Sequence, residues 1–418
     1  MNKKVLRLAA ILLTFLLILT SCAKPDAETE APSTAPESTE NATKETEPTE
    51  PETEPETEPE TNPPGTPITL TDMIGREVTV HPGCYYKVVC IGAGALRMYS
   101  YVADVSLLAG VEDIDNESLE NRPKMFDNVA RPYVIAYGDV FQTLPSAGIG
   151  GPNAQAAEPE KLLALEPDII ISEYEDVERE DALQEALGVP VITLRSGPNG
   201  VFDDAFKGSM RLLGRIFGTW ERAEELIAFI EDEEAEISRR TAGIRETEMP
   251  SVYISGLGNW GTTNHLMTAS TYYPFTVAHI KNALQDDVKG IHAIEAEKFL
   301  SIAETTDVMI FDAAAVKNIK PLYAEDPTMF DTFKAWQEGE VYLEMAYNAY
   351  YTNYELALVN TWFFAKAAYP DYFEDLDMVK KTDEVTKMFL GQELAEQIFA
   401  LPQNFGGYQK IDTETFFQ

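Results

Sequence analysis

Positive charge is scarce in this 418-residue chain: 32 Lys and Arg stand against 70 Asp and Glu, a formal charge of −38. Grip on a phosphate backbone needs clustered Lys and Arg, so a nucleic-acid partner is excluded. Histidine and cysteine are scarcer still, at four and three. That is too few for a His- or Cys-dense metal array or a disulfide scaffold. No Gly-x-Ser-x-Gly elbow, no His-Glu-x-x-His and no plausible Ser–His–Asp order stands out, which weighs against an exported α/β hydrolase, or an enzyme of any kind. No apolar run reaches the ~20 residues of a permanent membrane helix. What is present is a globular composition, 44% hydrophobic and 24% charged, long enough for two ordinary domains.

The first 22 residues read as an export signal. Lys3, Lys4 and Arg7 form a positive head, and Leu8 to Leu19 is an apolar run broken only by Thr14. It ends in Leu19-Thr20-Ser21-Cys22, which resembles the lipobox of bacterial lipoproteins. That resemblance implies a lipid on Cys22 and an anchor in the outer face of the cytoplasmic membrane. Residues 23–66 then carry thirteen acidic residues against Lys24 and Lys44, in Glu-Pro-Glu-Thr repeats. With almost no apolar side chain to offset the entropy of ordering, the segment reads as an extended, disordered tether. Setting aside the signal's +3 and the tether's −11 leaves −30 on the rest.

Beyond Pro67 the pattern is globular. Ile68 to Val80 alternates around a turn with Gly75, a hairpin signal. Val88–Ile91, Leu107–Val111, Ile169–Ser172 and Val189–Leu194 read as buried strands with helical patterns between them, which indicates a parallel sheet covered on both faces. The design repeats. Glu160-Lys161-Leu162-Leu163 leads into Asp168-Ile169-Ile170-Ile171, and 137 residues on Glu297-Lys298-Phe299-Leu300 leads into Asp307-Val308-Met309-Ile310. Between the halves, Thr219 to Ile244 has no Gly or Pro before Gly243 and keeps apolar residues at helical spacing. The predicted fold is therefore two α/β lobes with mainly parallel central sheets, at 67–218 and 247–418, joined by one long α-helix at 219–246.

The lipobox, the Asp72-x-x-Gly75-Arg76-x-Val78 hairpin, the paired Glu-Lys segments, the connecting helix and the Leu144-Pro145 … Gly148-Ile149-Gly150 … Pro167-Asp168 run together resemble one family. It is the substrate-binding lipoproteins of ABC importers for iron–siderophores, haem and cobalamin. Tyr369-Pro370-Asp371-Tyr372-Phe373 is similar to that family's C-lobe signature. The resemblance implies a monomeric receptor, not an enzyme and with no resident cofactor, that hands an iron or cobalt chelate to a permease dimer served by a cytoplasmic ATPase. It also implies that Glu160 and Glu297, one on each lobe, dock onto permease arginines.

Ligand is expected between the lobes, where loops leave the C-terminal ends of strands. In the first lobe the candidates are Arg97, after the Gly92-Ala93-Gly94 turn, and Arg131 with Tyr133. In the second they are Trp260, Tyr272 and Tyr273, and the cluster Tyr342, Tyr347, Tyr350, Tyr351 and Tyr354, of which the last four keep helical spacing. The cluster's helical spacing also fits a buried helix face; the alternative is a wall of phenols and rings for a chelate. Three of the four histidines, His265, His279 and His292, lie in the second half, so a bare metal ion shared between lobes is disfavoured and no metal ligands are assigned. An axial role for His265 toward haem or a corrinoid is left open. Cys84 and Cys90 would lie ~20 Å apart on one continuous strand, so both are expected free and buried.

Overall fold

The computed structural model describes residues 63–127, 129–151, 158–258, 264–286 and 288–418. The signal, Cys22, nearly all of the tether and Trp260 lie outside them.

The hairpin forms as expected, β1 (Ile68–Thr71) pairing antiparallel with β2 (Glu77–Val80) around Gly75 at φ 87°. There follow β3 (Val88–Ile91), α1 (Ala95–Val102), β4 (Leu108–Gly110), α2 (Pro132–Phe141), α3 (Pro159–Leu165), β5 (Ile169–Ser172), α4 (Val177–Leu187), β6 (Val191–Thr193) and α5 (Asp204–Phe217). Strands β4-β3-β5-β6 make a wholly parallel sheet. Every residue of β3 and β5 is buried. Helices on both faces explain why these strands read as unbroken apolar runs rather than alternating ones.

Helix α6 (Trp220–Thr241) comes next, 22 residues long, which at 1.5 Å per residue is about 33 Å. Ala223, Leu226, Ile227, Ile230 and Ile237 make its buried stripe. Its buried Glu233 accepts from Trp362 Nε1 at 2.5 Å and pairs with Lys381 at 3.1 Å, so the rod is pinned to the second half through a charge as well as apolar packing.

The second half runs β7 (Ser251–Ser255), β8 (Met267–Ala269), α7 (Tyr273–Val277), β9 (Lys281–Asn282), β10 (Ile291–Ala293), α8 (Ala296–Ser301), β11 (Val308–Asp312), α9 (Val316–Glu325), α10 (Lys334–Glu338), β12 (Val341–Glu344), α11 (Tyr354–Ala368), α12 (Met378–Leu390), α13 (Ala395–Ala400) and β13 (Gln409–Lys410). Its main sheet is ordered β13-β12-β11-β7-β9, parallel except for the edge strand β13. The repeated sequence segments occupy equivalent places: α3 leads into β5 and α8 into β11.

Two details differ from expectation. The tyrosine cluster is not helical, since α11 begins only at Tyr354, and 345–353 is a loop. Tyr350 and Tyr351 there have φ of 48° and 70°, a left-handed backbone that non-glycine residues adopt only under constraint. The cysteines are both free, yet only Cys90 is buried; Cys84 is exposed because it lies in the turn after Gly83 rather than on a strand. Among the described residues no helix is long and apolar enough to cross a membrane.

Candidate functional site

A cavity of about 770 Å³ opens where loops leave the C-terminal ends of strands from both halves. From the first half come Ala93 after β3, Ser196 and Asn199 after β6, Phe126 and Phe202. From the second come Tyr272, Tyr273, Asn282, Tyr347, Asn348, Tyr350, Tyr351 and Tyr354. Tyr351 is the most open ring, 49% exposed, against 7% for Tyr347 and 3% for Tyr350.

Each ring is held by its neighbours. Tyr350 faces Phe126 across the halves with centroids 6.1 Å apart, and Tyr273 meets Phe202 at 5.6 Å. The hydroxyls of Tyr272 and Tyr347 bond to one another at 3.2 Å. Asn282 Nδ2 donates to the carbonyls of Ala269 and Ser270, at 2.7 and 3.1 Å, which fixes the turn that carries Tyr272. Burial pushes the phenols of Tyr272, Tyr347, Tyr350 and Tyr354 well above the usual tyrosine range, and Tyr273 up to about 12. These groups stay protonated at neutral pH, so they offer hydroxyls and ring faces rather than phenolates.

Tyr342 of the tyrosine cluster lies on β12, donates to Glu340 at 2.8 Å and does not line this cavity. Three more residues expected at the ligand do not line it either. Arg97 is fully buried; its guanidinium donates to the carbonyls of Ala349 (2.6 Å) and Tyr350 (3.0 Å) and lies over the Tyr133 ring. Arg131 is spent on Asp115 at 2.9 Å and Glu117 at 3.3 Å. Tyr133 donates to the same Asp115 at 2.5 Å. The physical reason is shared: a charge that far from water survives only when paired, and the chain supplies carboxylates and carbonyls nearer than any ligand. Arg97 instead positions the site. With Asn353 Nδ2 donating to Ala130 O at 2.9 Å and Tyr350 donating to Glu112 at 2.5 Å, it ties loop 345–353 to the first half.

Gly94 explains the glycine turn that precedes Arg97. Its φ is 100°, and a Cβ there would overlap Glu173 Oε2. The turn gives room to a shut-in carboxylate oxygen that has no hydrogen-bond partner among the described residues. It does not form an anion cradle.

His265 packs edge-on against Phe299 and Phe330, at 5.0 and 5.6 Å, and burial lowers its pKa to about 4, so it is a neutral, half-buried residue away from the cavity. His279 bonds to Thr241 and His292 to Ser270. No convergent group of three or more His, Cys, Asp or Glu side chains occurs among the described residues.

Sequence reasoning missed Phe126, Ser196, Asn199 and Asn282. Ser196-Gly197-Pro198-Asn199 could have been found, since it follows the strand ending at Thr193 as the glycine turn follows Ile91. Phe126 carries no such signal. Glu160 and Glu297 both lie exposed in the first turns of α3 and α8.

The structure is similar to a periplasmic solute binding protein from Veillonella parvula, with a TM-score of 0.60 and 18% identity over 80% of this chain and 95% of that one. It is also similar to the molybdate periplasmic binding protein of a Haemophilus influenzae ABC transporter, at 0.58 and 18%, over 78% and 98%. A TroA-like periplasmic binding protein from V. parvula gives 0.57 and 20%, over 78% and 97%. At such identities the likeness is one of fold. No curated protein sequence matches the chain. Residues 124–343 match the periplasmic binding protein family, and over more than half its length, with two main sheets, a linking helix and a cavity at the strand ends, the chain belongs to that family.

Proposed function

We propose that this protein is the substrate-binding component of an ABC importer, lipid-anchored through Cys22, and that its cargo is a metal chelate of the ferric siderophore or corrinoid kind. One observation carries the chelate reading: the cavity is about 770 Å³ and ringed by six tyrosines, with lining drawn from both halves. That volume suits an organic molecule of several rings or arms, and protonated phenols suit stacking and hydrogen bonding to its periphery. An oxyanion such as molybdate, or a ligand rimmed by carboxylates such as haem, would meet no lysine or arginine on the described wall. A bare metal ion would meet no converging donor set among the described residues. The receptor role needs no catalysis; capture between the lobes and recognition of the loaded form by the permease suffice.

Native mass spectrometry of the full chain in mild detergent, against ferric siderophores, cobalamin, haem and divalent metals, tests this. Retention of an intact chelate with metal and organic shell together is expected. Retention of a divalent ion alone would overturn the chelate reading.

A further inference from the structure

The cavity wall is uncharged, but its surroundings are not. Among the described residues no Lys, Arg, His, Asp or Glu lines it. Directly behind the rings stand carboxylates. The Tyr350 hydroxyl donates to buried Glu112 at 2.5 Å, and Tyr273 donates to Glu234 at 2.8 Å. Behind Tyr272 and Tyr347 lie Asp312 and Glu344, in register at the C-terminal ends of β11 and β12 and both fully buried. Glu344 Oε1 has no hydrogen-bond partner among the described residues.

The buried cations of the first half do not balance these acids toward the ligand. Arg97 is turned onto carbonyls of the loop and Arg131 onto Asp115 and Glu117. Burial pushes Glu112 and Asp312 up to about 7, which marks sites where negative charge is held at a cost and where a nearby cation would relieve it. Tyr350 and Tyr273 have their donors committed to carboxylates, so they face a ligand with ring and oxygen lone pairs.

Resting on the receptor reading above, we propose that the cargo is cationic: the cavity selects a chelate bearing a positive group, such as a pendant ammonium, over its neutral and anionic counterparts. The tyrosine faces receive the cation, and the carboxyl groups behind them, kept largely protonated by burial, ionise as it arrives and then supply the opposing charge through a low-dielectric layer. An anionic chelate would lose its hydration and gain neither.

One chelate core in three charge states tests this. A linear ferric tris-hydroxamate with a free terminal amine is +1 at neutral pH; acetylating the amine makes it neutral, and succinylating it makes it −1. Titrated into the full chain by fluorescence quenching, the amine form should bind at least roughly tenfold tighter than the succinyl form, with the acetyl form between. Tyr351→Leu, which removes the most open ring, should narrow that ratio while leaving the thermal midpoint close to that of the unaltered protein. Equal affinities, or tightest binding of the anion, would overturn the charge inference and leave the chelate receptor standing. Failure of all three to bind, together with no chelate retained in the native mass spectra, would remove both. An unchanged ratio in Tyr351→Leu, or in Glu344→Gln as the isosteric alternative, would also overturn the inference.

Discussion

Glu112 shows how a single side chain can couple the cavity to pH. Its two oxygens accept from Gly92 N at 3.2 Å and from the Tyr350 hydroxyl at 2.5 Å, and burial raises its pKa from 4.5 to about 7. A group protonated more readily in the fold than out of it stabilises the fold below its ordinary value. That contribution is lost as pH climbs from about 4.5 through about 7. The shift is worth on the order of 3 kcal/mol. Thermal unfolding of the full chain should therefore show a higher midpoint at pH 5 than at pH 8, and Glu112→Gln, which keeps the shape, should reduce the difference. Asp312 and Glu180, also pushed to about 7 by burial, leave a remaining slope in that variant. A pH dependence identical to that of the parent would remove Glu112 from the account. Tyr350→Phe isolates the other partner. It takes a donor from a buried carboxylate, at about 1–3 kcal/mol, and denaturant unfolding at pH 8 should show that loss. At this scale the sequence was half legible. Tyr347, Tyr350 and Tyr351 could be read either as a wall of rings or as a helix face, and the structure sets them with Tyr272 and Tyr273 around one cavity. The arginines were not legible, because sequence displays a charge without displaying what consumes it. Asp115 and the carbonyls of 349 and 350 lie 16 and more than 250 residues from the guanidiniums they hold.

Loop 345–353 is the element on which the cavity depends. Tyrosine spacing of 347, 350, 351 and 354 suits a helix, and a local reading cannot choose between helix and wall. The choice is made from the other half of the molecule. Arg97 grips two successive carbonyls, and a fork of donors in one plane can do that where a single ammonium cannot. The left-handed backbone at Tyr350 and Tyr351 costs on the order of 1 kcal/mol or more for each residue, and persists only while such contacts over-determine it. Arg97→Lys keeps the charge and loses the fork. It should lower stability by about 1–3 kcal/mol and speed amide exchange within 345–353 by more than tenfold, with exchange in β5 little changed. Ligand affinity should fall with it, since three lining tyrosines ride on the loop. Uniform exchange across the chain would instead mean that the loop has no dependence of its own on Arg97. The buried central strands, by contrast, were legible almost residue for residue, while the short β8, β9, β10 and β13 were not read. Isoleucine and valine runs such as 169–171 leave no other element with both faces covered.

At the scale of the molecule, duplication makes a surface as well as a core. In α3 and α8 the same pattern turns the same way: Leu162 and Phe299 point inward, buried, while Glu160 and Glu297 stand outside with Leu163 and Leu300 three residues on, 51% and 53% exposed. Two matching Glu–Leu patches, one on each half, offer a two-fold partner a carboxylate and an apolar contact at each end. Pairing at both ends fixes orientation in a way that neither end alone can. The −30 borne by the chain beyond the tether adds attraction toward a basic surface over about a Debye length, without specifying a contact. These two contributions separate experimentally. Glu160→Lys with Glu297→Lys should leave chelate affinity within about twofold, because both sites lie outside the cavity, while uptake in cells carrying the cognate permease falls at least tenfold. Each single reversal should give an intermediate loss. Removing four charges from exposed sites elsewhere, such as Glu178, Asp181, Glu185 and Asp232, matches the double variant's change in net charge and leaves both patches in place. If that control loses uptake equally, diffuse attraction rather than the paired patches governs docking; if only the double reversal does, the repeat has been kept for the permease.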